Sequence, residues 1–345
     1  MQPGAILPTE QPASHPAFAA GRRNALAPAC RVGISFAMSP PSPPLPKTGP
    51  PQIFDRARLA ARRGRLARTF ASYDFLRQRV IDDLESRVGD TPRIFERGLE
   101  LGAAGGELSA RLRASGKAQS MVAADTAHAF LEAALTRGLE TVMADEEALP
   151  FAPASFDLVL APLTLHWVND LPGALAQIRR ILKPDGLFLG ALFGAGTLIE
   201  LRSVLTQAES DINGGLAPRF SPLPGLRDMA GLMQRAGFAL PVADRDTVTV
   251  RFPDPGRLLA ELKGMGERAA FSRGMAQPLP RRVLAEAKAR YIESFGQADG
   301  RIPATFEIVH VSGWAPGPGQ PQPLKPGSAK VSLADAIRRS RPEPE

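Results

Sequence analysis

Between Ile94 and Phe193 the chain alternates two hydrophobic periods. Short apolar runs, the mark of buried strands, cover Gly98–Leu101, Ser120–Ala124, Glu140–Met143, Phe156–Ala161 and Gly186–Phe193. Between them lie stretches with the spacing of one helix face, Glu107–Ala114, Ala127–Thr136 and Leu171–Leu182. The segment "LKPDGL", Leu182 to Leu187, reads as a helix stop, a Pro-Asp-Gly turn and a strand start. Strand and helix in alternation predict βαβ units. The fold class is therefore α/β, with a mostly parallel, doubly wound sheet and helices on both faces.

Beyond Phe193 the pattern changes. A helix over Leu198–Ile212 precedes "NGGLAPRFSPLPG", and residues 197–225 together read as a lid-like insert. A further helix covers Leu226–Ala236, a strand Asp246–Phe252, two helices Pro255–Met265 and Arg281–Phe295, and a last strand Ala304–Trp314. Upstream, residues 54–87 read as one helix, within an N-terminal helical segment 53–90. Its apolar side runs from Leu59 to Leu84, and its other side carries Arg56, Arg58, Arg62, Arg63, Arg65 and Arg68. That cluster is a solvated basic face or a docking surface for an acidic partner. The ends differ in kind. Residues 1–52 are rich in Pro, Ala and Ser without apolar period, a disordered lead; 316–345 are a Pro-rich linker and tail.

Composition narrows the function classes. Cys30 is the only cysteine, which excludes an intrachain disulfide, a Cys-based zinc site and an iron–sulfur cluster. The net charge of +7 is a mild excess for 345 residues; it suits an acidic partner or surface, and no nucleic-acid partner is expected. The apolar run "GLFLGALFGAGTLI" is shorter than the roughly 20 residues that span a bilayer, so no transmembrane segment is expected, while peripheral membrane association stays open. The lead holds Arg22, Arg23 and Arg31 against Glu10, a transit-peptide balance, whereas a start at Met38 would place it outside the protein. The expected compartment is the cytoplasm of a bacterium, or the mitochondrial matrix if the lead is a transit peptide.

Ligands of open parallel sheets bind beyond the strands' carboxyl ends, so the residues there are the candidates for chemistry. "ERGLELGAAGGELSARL" is a strand, a glycine loop and a helix. Gly102 suits a tight turn, and Gly105 and Gly106 a close backbone approach around Ala103 and Ala104. Ala104 replaces the middle glycine of a GxGxG pattern, and its methyl fits if φ is negative. Glu100 and Glu107 flank the loop and would repel a phosphate; they suit a cofactor with positive charge. Asp125 ends the second strand, 25 residues after Glu100, close to the offset of roughly 20 at which an acid accepts ribose hydroxyls; Thr126 follows it. Asp145 and Glu146 follow the third strand, where a carboxylate can accept from an adenine amino group. Leu163, His166, Trp167 and Asn169 follow the fourth and face the crevice; His166 is the candidate base and Trp167 a stacking surface. Singly, each has a structural reading: Asp125 as an N-cap, Trp167 as core, Asn169 or Asp170 as a cap. No HExxH, facial-triad pair, nucleophile elbow or P-loop occurs, and no metal is expected.

The blocks "IFDRARLAARRGR", "ADEEALPF", "LTLHWVNDLPGALAQIRRILKPDG", "FGAGTLIELR", "GMGE" and "IPATFEIVHVSGW" resemble the class I S-adenosylmethionine-dependent methyltransferase superfamily. Within it they are most similar to the group of respiratory complex I assembly factors that act as protein arginine hydroxylases. The resemblance spans about Ile53 to Ser332. It implies a Rossmann-like, seven-stranded sheet whose last strands form an antiparallel hairpin, in a domain spanning 91–315. It implies S-adenosylmethionine at the glycine loop, with Asp125 on the ribose and Asp145 near the adenine. It also implies a protein substrate: an arginine on a peripheral-arm subunit of NADH:ubiquinone oxidoreductase. The carboxyl O-methyltransferases of biotin synthesis are a second resemblance. A non-catalytic assembly chaperone and, more distantly, an NAD dehydrogenase are the other readings.

Overall fold

The computed structural model describes residues 51–320 and Ser332. The expected lead up to residue 50, and most of the expected tail, lie outside the described residues. The chain enters through α1 (Arg56–Leu66), capped by Asp55, whose carboxylate accepts from Arg58 N at 2.9 Å. A short 3-10 turn at Phe70–Ser72 separates it from α2 (Phe75–Asp90). The single helix expected over 54–87 is therefore corrected to two. Tertiary contacts make the break: Phe70 packs edge-on against Phe130 at 5.2 Å, and the Tyr73 ring lies where a Cβ on Gly264 would be.

The sheet then builds in the expected alternation: β1 (Phe95–Leu101), α3 (Glu107–Ala114), β2 (Ala118–Asp125), α4 (His128–Thr136), β3 (Glu140–Met143), β4 (Phe156–Pro162), α5 (Leu171–Ile181) and β5 (Leu182–Phe193). The Pro-Asp-Gly turn expected at Pro184–Gly186 is a bulge inside β5. Phe156 pairs Leu182, but Leu158 pairs Leu187, and Asp185 takes φ 60°. The second half adds α6 (Ile199–Asn213), α7 (Leu226–Arg235), β6 (Ala239–Phe252), α8 (Pro255–Gly264), α9 (Arg281–Phe295) and β7 (Ile302–Trp314). Most of the expected lid-like insert is α6; its irregular part is 214–225, tied down by Arg219 on the buried Glu209.

The strand order is β3-β2-β1-β4-β5-β7-β6. The first five strands run parallel, and β7 runs antiparallel to both β5 and β6. Apolar layers cover both faces. One packs α2, α3, α6, α8 and α9 against the sheet; the other packs α5 and α7. Because β1 to β4 run parallel, the loops after them gather at one edge of the sheet, and the order reverses between β1 and β4, where a crevice opens.

Candidate functional site

The glycine loop is wound through the left-handed region. Gly102 (φ 59°), Ala104 (φ 46°), Gly105 (φ 101°) and Gly106 (φ 73°) all take positive φ. The condition under which the Ala104 methyl fits, a negative φ, is not met: the turn puts it in a conformation that costs roughly 1–2 kcal/mol in an L-residue. A Cβ on Gly102 would overlap the Thr164 side chain, so the loop after β1 meets the loop after β4 there. Ala103 is buried; its N–H donates to Ala124 O at 3.0 Å.

Glu100 does not face the crevice. It is wholly buried, with Oε1 accepting from Arg77 at 2.8 Å and Oε2 from Ser109 N at 3.0 Å and Ser109 Oγ at 2.7 Å. Burial pushes its carboxyl up, against the pull of Arg77. Glu107 begins α3 and holds Gln78 and Arg111. Both acids expected to flank a cationic cofactor are thus neutralised by partners, and Glu100 instead ties the start of α3 to α2.

The downstream acids are all held by α1. Asp125 is buried; Oδ2 accepts from Ala104 N at 3.1 Å, and Oδ1 from Ala127 N at 2.9 Å. The same Oδ2 takes the Arg63 guanidinium at 2.8 Å. Asp145 Oδ1 accepts from Arg56 at 2.7 Å, Glu146 pairs with the same arginine, and Arg56 also donates to Trp167 O at 3.2 Å. Both guanidinium pKa values rise, because nearby carboxylates overcome burial. Thr164 Oγ1 donates to Glu146 Oε1 at 2.5 Å. Thr126 is half-buried beside Asp125, and Leu163, with φ 51°, is buried and donates to Ala191 O at 2.8 Å.

His166 and Trp167 form a 3-10 turn with Leu165. His166 Nε2 lies 3.1 Å from Glu267 Oε2, and its Nδ1 is buried without a partner among the described residues. Asn169 does not face the crevice: its Oδ1 accepts from Phe54 N at 2.7 Å, which anchors the chain entering α1. Asp170 caps α5 through Gly173 N at 2.9 Å. Beyond His166 and Trp167 opens a cavity of about 840 Å³, a size that suits a small ligand or a side chain. Its walls are mostly apolar, and Arg58, Arg202, Lys263, Arg268 and Lys288 line it without an ion-pair partner among the described residues.

Sequence reasoning placed Asp125, Asp145, Glu146, Leu163, His166 and Trp167 around one crevice. It missed Arg56, Arg63, Thr164 and Glu267. Arg56 and Arg63 are seven apart, two helical turns on one face, which was the available signal. Among the described residues, no group of three or more His, Cys, Asp or Glu side chains is placed to hold a metal.

The residues present fit an adenosyl cofactor: a buried carboxylate for a diol after β2, an acid pair after β3 on one side of it, and a glycine turn after β1 on the other. Order of strands, reversed last strand and acid ladder define a class I S-adenosylmethionine-dependent methyltransferase fold, and a methyltransferase-domain family model matches residues 99–190. S-adenosylmethionine is the cofactor of that domain. The chain belongs to the arginine-hydroxylase NDUFAF5 family. It is 41% identical over 268 residues to "Arginine-hydroxylase NDUFAF5, mitochondrial" of Danio rerio, covering 77% of this chain and 83% of that one. It is 37% identical over 327 residues to the protein of the same name in Rattus norvegicus, covering 94% and 92%. "Malonyl-[acyl-carrier protein] O-methyltransferase" of Xylella fastidiosa is 32% identical over 244 residues, covering 69% and 79%.

Proposed function

We propose that this enzyme binds S-adenosylmethionine and hydroxylates an arginine of a protein, a peripheral-arm subunit of NADH:ubiquinone oxidoreductase, during assembly of that complex, with the oxygen atom and the two-electron oxidant supplied by a co-reactant from outside the chain. The observation that carries the reading is the extent of similarity. The arginine-hydroxylase relatives match over 77–94% of the chain, beyond the domain at 99–190.

In this reading Asp125 accepts the ribose hydroxyls, and Asp145 with Glu146 faces the adenine amino group. The backbone of Gly102, Ala103, Gly105 and Gly106 lines the methionyl end, with Thr126 and Leu163 as walls. Glu100 acts indirectly, holding α3 through Ser109. Arg63 and Arg56 occupy the same carboxylates, so α1 must yield before the cofactor is bound. The bound cofactor supplies a sulfonium and an adenosyl group; the chain's own residues bind and orient. His166, coupled to Glu267, is placed to hold or release a proton beside Trp167.

The compartment follows the relatives, which are named mitochondrial. A leader within residues 1–52 would give the matrix; a bacterial chain would work in the cytoplasm, at the membrane periphery. Among the described residues no helix is long and apolar enough to cross a membrane. A second reading, O-methylation of a small or carrier-bound carboxylate, is favoured by the cavity cations that have no ion-pair partner among the described residues and by the 32% identity to the O-methyltransferase. Intact mass of the candidate subunit after incubation decides: about +16 Da for hydroxylation, about +14 Da for methylation. No change in either overturns the enzyme reading for that substrate.

A further inference from the structure

Three arginines of α1 point inward, and they are treated differently. Arg56 holds Asp145, Glu146 and Trp167 O; Arg63 holds Asp125. Arg77, on the next helix, is likewise fully engaged by Glu100, Pro162 O and Ala103 O. Arg62 is the exception. Its Nε and one terminal nitrogen are buried with no partner among the described residues, and its remaining bond is a long one, 3.4 Å to Ala269 O. Buried guanidinium donors are ordinarily satisfied, so one left bare asks for an explanation.

What surrounds Arg62 is a guanidinium site. Its central carbon lies 5.7 Å from the Trp167 ring centroid, within the range of a cation–π contact. Burial, with Arg268, Arg58 and Arg63, lowers the Arg62 pKa to about 10 against the pull of Glu267, which forms no ion pair with Arg62 among the described residues. Glu267 uses Oε2 on His166, and Oε1 accepts no hydrogen bond among the described residues. Trp167, His166 and Glu267 also line the 840 Å³ cavity.

We propose that the face of Trp167 and the carboxylate of Glu267 form the subsite for the acceptor guanidinium, and that Arg62 fills this subsite in the free protein. The inference rests on the reading that the acceptor is an arginine. The geometry supports displacement. Arg62 brings few hydrogen bonds, so an arginine whose fork reaches Glu267 Oε1 replaces it with a better-bonded cation. Arg62 and Arg63 are neighbours on one helix. Withdrawal of α1 therefore frees the acceptor subsite and the Asp125 carboxylate together.

The test is binding of Nα-acetyl-L-arginine amide to the full chain, with its citrulline analogue as the neutral control, followed by calorimetry. Arg62→Ala should bind the arginine compound at least tenfold more tightly than the unaltered chain. The citrulline compound should gain nothing, and Arg62→Ala/Glu267→Gln should lose the gain. Arg62→Met, which keeps the side-chain stem, serves if the alanine variant does not fold. Equal affinity of the unaltered and Arg62 variants, or equal affinity for arginine and citrulline, overturns the proposal. The subunit mass measurement is separate. Specific guanidinium binding without a mass change supports the subsite and sinks the modification reading. A mass change with no guanidinium binding in either Arg62 variant overturns the subsite and leaves the modification standing.

Discussion

Ala104 carries a methyl group at φ 46°, where glycine is at ease and alanine is not. Ala104→Gly should therefore raise stability by about 1 kcal/mol, read as a higher urea midpoint at unchanged slope. An unchanged midpoint would mean the loop is not strained there. Asp125 carries a heavier duty, because it holds Ala104 N, Ala127 N and Arg63 at once. Asp125→Asn should abolish the thermal shift given by S-adenosylmethionine and should itself cost about 3 kcal/mol, since it leaves Arg63 inside without its counter-charge. Retained binding at native affinity would remove Asp125 from the cofactor site. At this scale the acids at the strand ends were readable, because strand periodicity locates those ends. The φ of Ala104 and the burial of Glu100 were not: both depend on what the neighbouring loop and α2 bring against them.

The six arginines of α1 and the turn after it looked like one basic face. In the folded chain they divide by helical phase. Arg58, Arg65 and Arg68 are exposed, while Arg56, Arg62 and Arg63 turn inward with Leu59. The acidic partner that such a cluster suits is, for the inward three, the chain's own Asp125, Asp145, Glu146 and Glu267. Arg63→Gln should accordingly raise S-adenosylmethionine affinity about tenfold, by raising the fraction of chains whose site is open. It should also lower the Tm of the ligand-free protein, since Asp125 loses its ion pair. Affinity unchanged or reduced would mean that α1 does not compete with the cofactor. The break between α1 and α2 was illegible for a related reason. The apolar spacing runs on through residues 67–74 although Thr69, Ser72 and Asp74 are weak helix formers, and Phe130 and Gly264, distant in sequence, pack against Phe70 and Tyr73 at the break.

At the scale of the molecule, His310 lies buried on β7, its Nδ1 3.1 Å from Asp83 Oδ2 but without a hydrogen bond among the described residues. Burial lowers its pKa; Asp83, Asp244 and Asp246 pull the other way, and Arg87 adds to the lowering. With the folded value below the unfolded one of about 6.5, the unfolded state takes up the proton first. The stability this group contributes is present above that value and lost as pH falls through it. Unfolding by urea between about pH 7.5 and pH 5 should show such a decline, and His310→Gln should flatten it. The topology that buries His310 was partly legible. Alternation announced the parallel half and the two last strands, and β6 proved longer only because β7 pairs it as far as Ala239.

By itself, the order of residues determined the element types, the α/β class and the acids at the strand ends, because hydrophobic period and turn chemistry are local properties. Only the folded chain decided which of those acids are free. Glu100 and Glu107 are spent on α2 and α3, and Asp125 and Asp145 on α1, through pairs that span 23 to 89 residues of sequence for Arg77–Glu100 and Arg56–Asp145. Such pairings are set by how elements pack, and side-chain charge alone cannot choose among forty-two cations and thirty-five acids.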